Sequence, residues 1–546
     1  MRGHNVQRFS LHTPMHCVGL YCLTALLVFT GTTGQSRADW YEVKSENFVF
    51  YGDVSEDTAR RLVTDLEIYR SAIVMLSGQE AGPEVRPVHI FGANNSSGLR
   101  RLTGRADIAG LYTVGDDYPI FVMDTSEGFN DDGDSRGVAL HEFAHHVIRS
   151  HTSYYYPLWY NEGFAEYLAS FIAEENTVTI GQPNSYFASS LNDRWMDIDD
   201  VLSAVTRYPE SKGSRRDGEM RYQFYGITWL AVHYIQNTKE MSDRLPDYIS
   251  AINEGLDPIE AFESTFEMTT EEFRLALVRY HRTNRYQVIR FTFEEEIIAG
   301  QITVRKLDER EEDLTTILSR LEFIPFGENG QNRRDDMRKL LEETEAKYGL
   351  LPVIGDGWVS LELAERDYDA AVERGEAVAA AHPEDSTALR AVADAYFHRY
   401  QWGDEKDIED VKQARAYFAR QLAIDPTNPT ANDHYPTTFL YDREVPDEMA
   451  IEAVAFMVNY QRSPYYMSMY LDMAEVMLLA GYLEDSCWLV DHVEILVRNS
   501  AREAAERTDD EEEEASEDNG PPHITDENNL QHLERLKSEL GDRCPS

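Results

Sequence analysis

"VALHEFAHHVIRS", Val138–Ser150, sets three histidines and one glutamate within a largely apolar run. A helix repeats about every 3.6 residues, so His141 and His145 stand one turn apart on one face, with Glu142 beside them. Two neutral imidazoles placed this way can close on a single zinc ion, and the neighbouring carboxylate remains free to move protons on water. His146 follows a ligand directly, so it points to another face and reads as a packed or exposed histidine. A catalytic zinc takes three protein ligands and keeps a fourth position for water. The stretch supplies two, so the third must come from elsewhere in the chain.

Upstream, "NDDGDS" marks a loop, with Asp134 or Ser135 capping the histidine helix. Before it, "WYEVKSENFVFYGD" alternates and is rich in aromatic and β-branched residues, which predicts strand, followed by a helix from Glu56 to about Leu76. "RPVHIF", "IAGLYTV" and "YPIFVMD" are further strand candidates leading into the histidine helix, and a second helix is expected from near Asn161 to about Glu174.

Two downstream residues compete for the third ligand position. "HEFAHHVIRSH" places His151 where metzincin proteases carry theirs in HExxHxxGxxH, but Ile148 stands at the glycine that ends their helix. A β-branched residue disfavours that turn, and six more helical residues advance His151 by about 600°, away from His145. The other candidate is Glu162 in "PLWYNEGFAEYLASF", which resembles the gluzincin metallopeptidases, whose second helix carries NExx(D/E). Trp159, Asn161, Glu162, Gly163 and Phe164 match the aminopeptidase branch, and sixteen residues separate His145 from Glu162. The resemblance implies that Glu162 is the third zinc ligand. It also implies that Glu166, one turn on, orients a ligand histidine through its outward N–H.

"RYQFYGITWLAVHYI", Arg221–Ile235, resembles the gluzincin helix bearing a catalytic tyrosine; Tyr225 aligns with it and Tyr222 competes. The Gly-x-Met-Glu-Asn segment with which those aminopeptidases hold a substrate amino terminus is missing, so aminopeptidase specificity is not implied. "IAGLYTVGDDYPIFVMD" lies where the clan places a substrate-pairing edge strand.

From about Ala346 the texture changes to helices rich in Ala, Glu and Leu, punctuated at Pro383, Pro426 and Pro464. This resembles tetratricopeptide repeats, with Tyr368, Ala371 and Pro383 in one unit and Ala414, Phe418 and Pro426 in the next. The prolines are spaced wider than the usual roughly 34 residues, consistent with an insertion at "WGDEKDIED". "TDDEEEEASEDNGPP", from Thr508, has almost no apolar residues and reads as a solvated linker before a short helix near Leu530–Leu540.

At the start, Arg2 and Arg8 precede an apolar run, Val18–Phe29, and small residues up to Ala38, the pattern of a secretory signal peptide cleaved at Ala38 or Gly34. Cys17 and Cys22 leave with it; Cys487 and Cys544 stay, free to form one bridge in an oxidising compartment. A hydrophobic content of 42% indicates a globular chain. The net charge of −47 repels nucleic acid and anionic lipid.

The expected fold class is α+β: a leader (1–38), a zincin-like domain of a small mixed sheet and active-site helices (39–300), a helical linker (301–345), all-α tetratricopeptide-like repeats (346–500), then the acidic segment and short helix (501–546). The expected function is a secreted or periplasmic zinc-dependent peptide-bond hydrolase with no stable membrane insertion. Zn2+ would be held by His141, His145 and Glu162, with Glu142 as general base, Tyr225 assisting and Glu166 supporting; the partners would be a peptide or protein substrate and a protein on the repeats. The competing reading is a catalytically silent, zinc-braced binding protein acting through those repeats.

Overall fold

The computed structural model describes residues 39–77, 82–105, 108–126, 134–183, 191, 195–204, 208, 214–283, 285–293, 299–326, 330–464, 466–505 and 526–544. The expected leader and the acidic run lie outside the described residues, as does most of the "NDDGDS" loop.

The amino-terminal half is built on a mixed six-stranded sheet. Its strands are β1 (Tyr41–Lys44), β2 (Phe48–Gly52), β3 (Val88–Ala93), β4 (Gly110–Val114), β5 (Pro119–Asp124) and β9 (Thr303–Lys306), in the order β4-β5-β3-β2-β1-β9. β2, β3 and β5 run parallel, whereas β4, β1 and β9 pair antiparallel with their neighbours. A strand buried on both faces needs apolar residues at every position, and "FVFYG" in β2 meets that demand. Phe48 and Phe50 join Leu62, Leu66 and Tyr69 of helix α1 (Glu56–Ser77) on one face; Val49 and Tyr51 join Leu99 of helix α2 (Ser96–Thr103) on the other.

Helix α3 (Asp134–His151) packs Ala139, Leu140, Phe143 and Ala144 into the α1 face. It also crosses β4 closely: a Cβ on Gly110 would lie 2.5 Å from Val138 Cγ1, so this strand position requires glycine. Helix α4 (Leu158–Ala169) ends earlier than expected, because Ile172–Glu174 (β6) turns back through Glu175, at φ 54°, into β7 (Thr177–Ile180). β6 and β7 form a second small sheet with β8 (Ile289–Thr292).

The segment 301–345, expected as a helical linker, is largely helical, over Glu309–Leu318 and from Gln331 onward, but it packs into the fold and does not merely connect its neighbours. It opens with β9, which pairs with β1 to complete the sheet, and its helix Gln331–Tyr348 shares a core with the helix Pro352–Ala364 through Met337, Leu341, Ile354 and Trp358. Four residues, "TVRK", are too few and too polar to announce a strand until β1 offers its edge.

The carboxyl-terminal region is wholly helical among the described residues. Pro383 and Pro426 fall between consecutive helices, Tyr368–Ala381, Ser386–Trp402, Ile408–Ile424 and Pro429–Asp442, and Ala371, Ala414 and Phe418 are fully buried where these helices meet. The last helix, Asp526–Leu540, is longer than expected, and a Cys487–Cys544 disulfide closes 57 residues of chain over it, worth about 4 kcal/mol by loop entropy.

The helical region grips the turn of the β4–β5 hairpin. Arg390, 3% exposed, sets its guanidinium 3.1 Å from Asp116, 3.1 Å from Asp117, 2.5 Å from Asp356 and 2.8 Å from Asp394. Thr430 donates to the Asp116 carbonyl at 2.7 Å, and Arg86 meets Asp425 at 2.9 Å. Burial pushes the Asp356 carboxyl up to about 7 against the pull of Arg390. Removing Arg390 strands several carboxylates together, so Arg390→Met is expected to cost on the order of 3–5 kcal/mol, read as a lower denaturant midpoint. The loss should shrink as pH falls towards about 7, because without the pull of Arg390 the Asp356 carboxyl takes its proton at a higher pH than in the parent.

Candidate metal centre

The site is assembled from α3, α4 and the helix Ser214–Asn237. Helical periodicity puts His141 and His145 side by side, with their Nε2 atoms 3.0 Å apart. α4 packs across them and brings in Glu162, whose Oε2 lies 3.4 Å from each of those nitrogens. All three residues are buried, at 9%, 7% and 7% exposure. Gly163 permits this approach, since a Cβ there would sit 2.4 Å from the Thr228 carbonyl oxygen on the neighbouring helix.

Each imidazole has a partner on its far side. His141 Nδ1 lies 3.0 Å from Glu166 Oε1, and His145 Nδ1 lies 3.0 Å from Asn161 Oδ1. The Asn161 oxygen bonded at His145 Nδ1 and the Glu166 carboxylate beside His141 Nδ1 favour the tautomers whose Nε2 lone pairs face one point. Glu162 Oε2, buried and without a hydrogen-bond donor, faces the same point. Three lone-pair donors so close together repel unless a cation lies between them, and this donor set suits a metal. The charge balance favours a cation at this point, whether proton or metal ion: burial opposes charge on His141, yet Glu166 and Glu162 raise its pKa well above the ordinary histidine range. Burial likewise opposes ionisation of Glu162, but His145 and His141 outweigh it and hold the carboxyl below the usual range. His141, His145 and Glu162 thus form a group able to hold a metal, with ligand atoms all within 4.8 Å of one another.

Glu142 Oε2 accepts the Tyr112 backbone N–H of edge strand β4 at 3.0 Å. Tyr225 reaches the site, its ring 6.0 Å from that of His141; Tyr222, the competing tyrosine, lies nearly one turn earlier on the same helix. Burial and the Glu162 charge push the Tyr225 hydroxyl well above the ordinary phenol range, keeping it a donor. Tyr208, which sequence spacing does not signal at all, donates to Glu162 Oε1 at 2.9 Å and meets the Tyr225 hydroxyl at 2.8 Å. Asn161 stood beside Glu162 in the quoted motif, but its role against His145 emerges only from the crossing of α3 and α4.

α3 runs unbroken through Ile148 to His151, so the chain does not turn back there. His151 Nε2 instead lies 3.6 Å from Glu84 Oε1. His146 is buried, packed between the Tyr112 hydroxyl at 2.9 Å and Glu84 Oε2 at 3.3 Å. Glu166→Ala is expected to weaken metal binding by roughly 10–100-fold with little change in thermal midpoint, because it frees the His141 ring without touching the core; competition with a chromogenic chelator measures this.

No family model matches the chain, and no curated protein matches it. Among solved structures it is similar to a thermophilic TPR protein from Thermus thermophilus, at 14% identity and a TM-score of 0.27, over 35% of this chain and 97% of that one. A likeness of that size carries no argument about fold or function.

Proposed function

We propose that the protein is a zinc-dependent peptide-bond hydrolase of the gluzincin type. The observation that carries this reading is the convergence of His141 Nε2, His145 Nε2 and the undonated Glu162 Oε2, with Glu142 alongside. Zinc bound there would supply a Lewis acid for the scissile carbonyl and acidify a water molecule. Glu142 takes the water's proton and delivers it to the departing amine. Tyr225, kept protonated by burial and the Glu162 charge, turns its O–H from the Tyr208 hydroxyl to the carbonyl oxygen as negative charge builds there.

An extended peptide would be held by strand addition along β4, which has a neighbour on one side only in the sheet order. The Tyr112 N–H ties Glu142 to that strand, so the base and the substrate backbone share one reference. The Cys487–Cys544 disulfide and the leader-like start of the sequence support a secreted or periplasmic setting. No helix among the described residues is long and apolar enough to cross a membrane. The carboxyl-terminal helices, read as degenerate tetratricopeptide repeats, would add a surface for a protein partner.

The deciding experiment is hydrolysis of a broad peptide and protein library by the purified mature chain. Activity should vanish after chelation and return with stoichiometric zinc. A zinc-loaded chain that cleaves nothing would favour the silent binding protein.

A further inference from the structure

The helix Ser386–Trp402 carries Asp394 and His398 one turn apart, and the helix Pro429–Asp442 brings His434 against them. Their ligand atoms all lie within 4.8 Å of one another. Asp394 Oδ1 is 3.2 Å from His434 Nδ1, and the two imidazole rings stand nearly perpendicular, at 87°, with centroids 5.5 Å apart. Perpendicular rings close together do not stack on one another; each is free to turn a nitrogen edge towards a shared point.

Each of the three side chains is also held in place by something else. Asp394 Oδ2 accepts from Arg390 at 2.8 Å. The His434 ring stacks on Phe397 at 4.4 Å, and the His398 ring stacks on Trp402 at 3.8 Å with its Nδ1 3.2 Å from Gln401 Oε1. Ion ligands are usually held this way, by partners that fix rotamer and ring orientation before the ion arrives. An ion pair between Asp394 and His434 would account for two of the three residues, and it does not draw on His398, the third member of the group.

We propose that Asp394, His398 and His434 form a second metal site, for a first-row divalent transition ion, built into the helical region and separate from the centre at His141. Two imidazoles and one carboxylate suit zinc, nickel or cobalt. Calcium and magnesium ask for sets of oxygen ligands that these residues do not provide. The site also has a neighbour of consequence, since the Arg390 that holds Asp394 reaches Asp116 and Asp117 in the β4–β5 turn. An ion here would brace the junction between the helices and the hairpin.

The test uses the mature chain, stripped by chelation and titrated with zinc, with bound metal counted by elemental analysis. Two ions per chain are expected. His398→Ala and His434→Ala should each retain one, His145→Ala should retain the other, and His145→Ala combined with His398→Ala should bind none. If the centre at His141 fails as a metal site, a single ion that survives His145→Ala and disappears in His398→Ala still carries the proposal. To guard against misfolding of the histidine variants, the His145→Ala chain is also titrated with cobalt, which should give a saturable visible absorption band at one equivalent. The proposal is overturned if that band is absent, or if folded His398→Ala and His434→Ala chains bind as much zinc, as tightly, as the parent.

Discussion

Glu142→Gln is expected to lower peptide hydrolysis by roughly 10²–10⁴-fold while leaving zinc content and thermal midpoint unchanged. Glutamine keeps the size of the side chain and can still accept the Tyr112 N–H through its carbonyl oxygen, so the contact that positions it on β4 survives. It cannot accept a proton from water at neutral pH, and that is the single property removed. Glu142 is not among the converging ligand atoms, so metal affinity has no cause to change. Turnover measured on the same peptides before and after substitution, with metal counted in both proteins, checks this. Equal turnover in the two would sink the role of Glu142 as base and, with it, the gluzincin-type mechanism.

Glu162→Gln is expected to weaken zinc binding at this centre by more than the roughly 10–100-fold that loss of a supporting partner costs, because an anionic ligand is lost outright. It also turns a neutral amide NH2 towards the two imidazole lone pairs, with the Tyr208 hydroxyl still donating to the amide's single oxygen. His151→Ala should leave zinc unchanged, since His151 is directed at Glu84 from the end of an unbroken helix. Chelator competition on both variants decides the matter. Zinc lost from His151→Ala and kept by Glu162→Gln would return the chain to the metzincin arrangement.

The local part of this architecture is legible in the sequence. His141 and His145 share a face for the same reason that any residues four apart on a helix do, with Glu142 beside them. The strands "FVFYG", "VHIFGA" and "PIFVMD" are predominantly apolar, and the helices end at Pro383 and Pro426 as expected. Features that depend on a partner were not legible: β9 exists because β1 has an edge, and the β6–β7 turn cuts α4 short of Glu174.

By itself the sequence determined that two imidazoles and a carboxylate occupy one helix turn, that Ile148 offers no glycine on which to turn back, and that an acidic helix follows sixteen residues on. Only the tertiary structure decided whether Glu162 or His151 meets the two imidazoles. Gly163 lets α4 lie against the neighbouring helix, and the resulting crossing sets Glu162 before both Nε2 atoms, Glu166 behind His141, and Asn161 behind His145. Tyr208, forty-six residues from Glu162, and Arg390, hundreds of residues from the hairpin it grips, lie beyond any periodicity. Helical and strand repeats encode which residues share a face over a few turns. The meeting of two faces is encoded only in how their side chains pack, and that depends on the whole core at once.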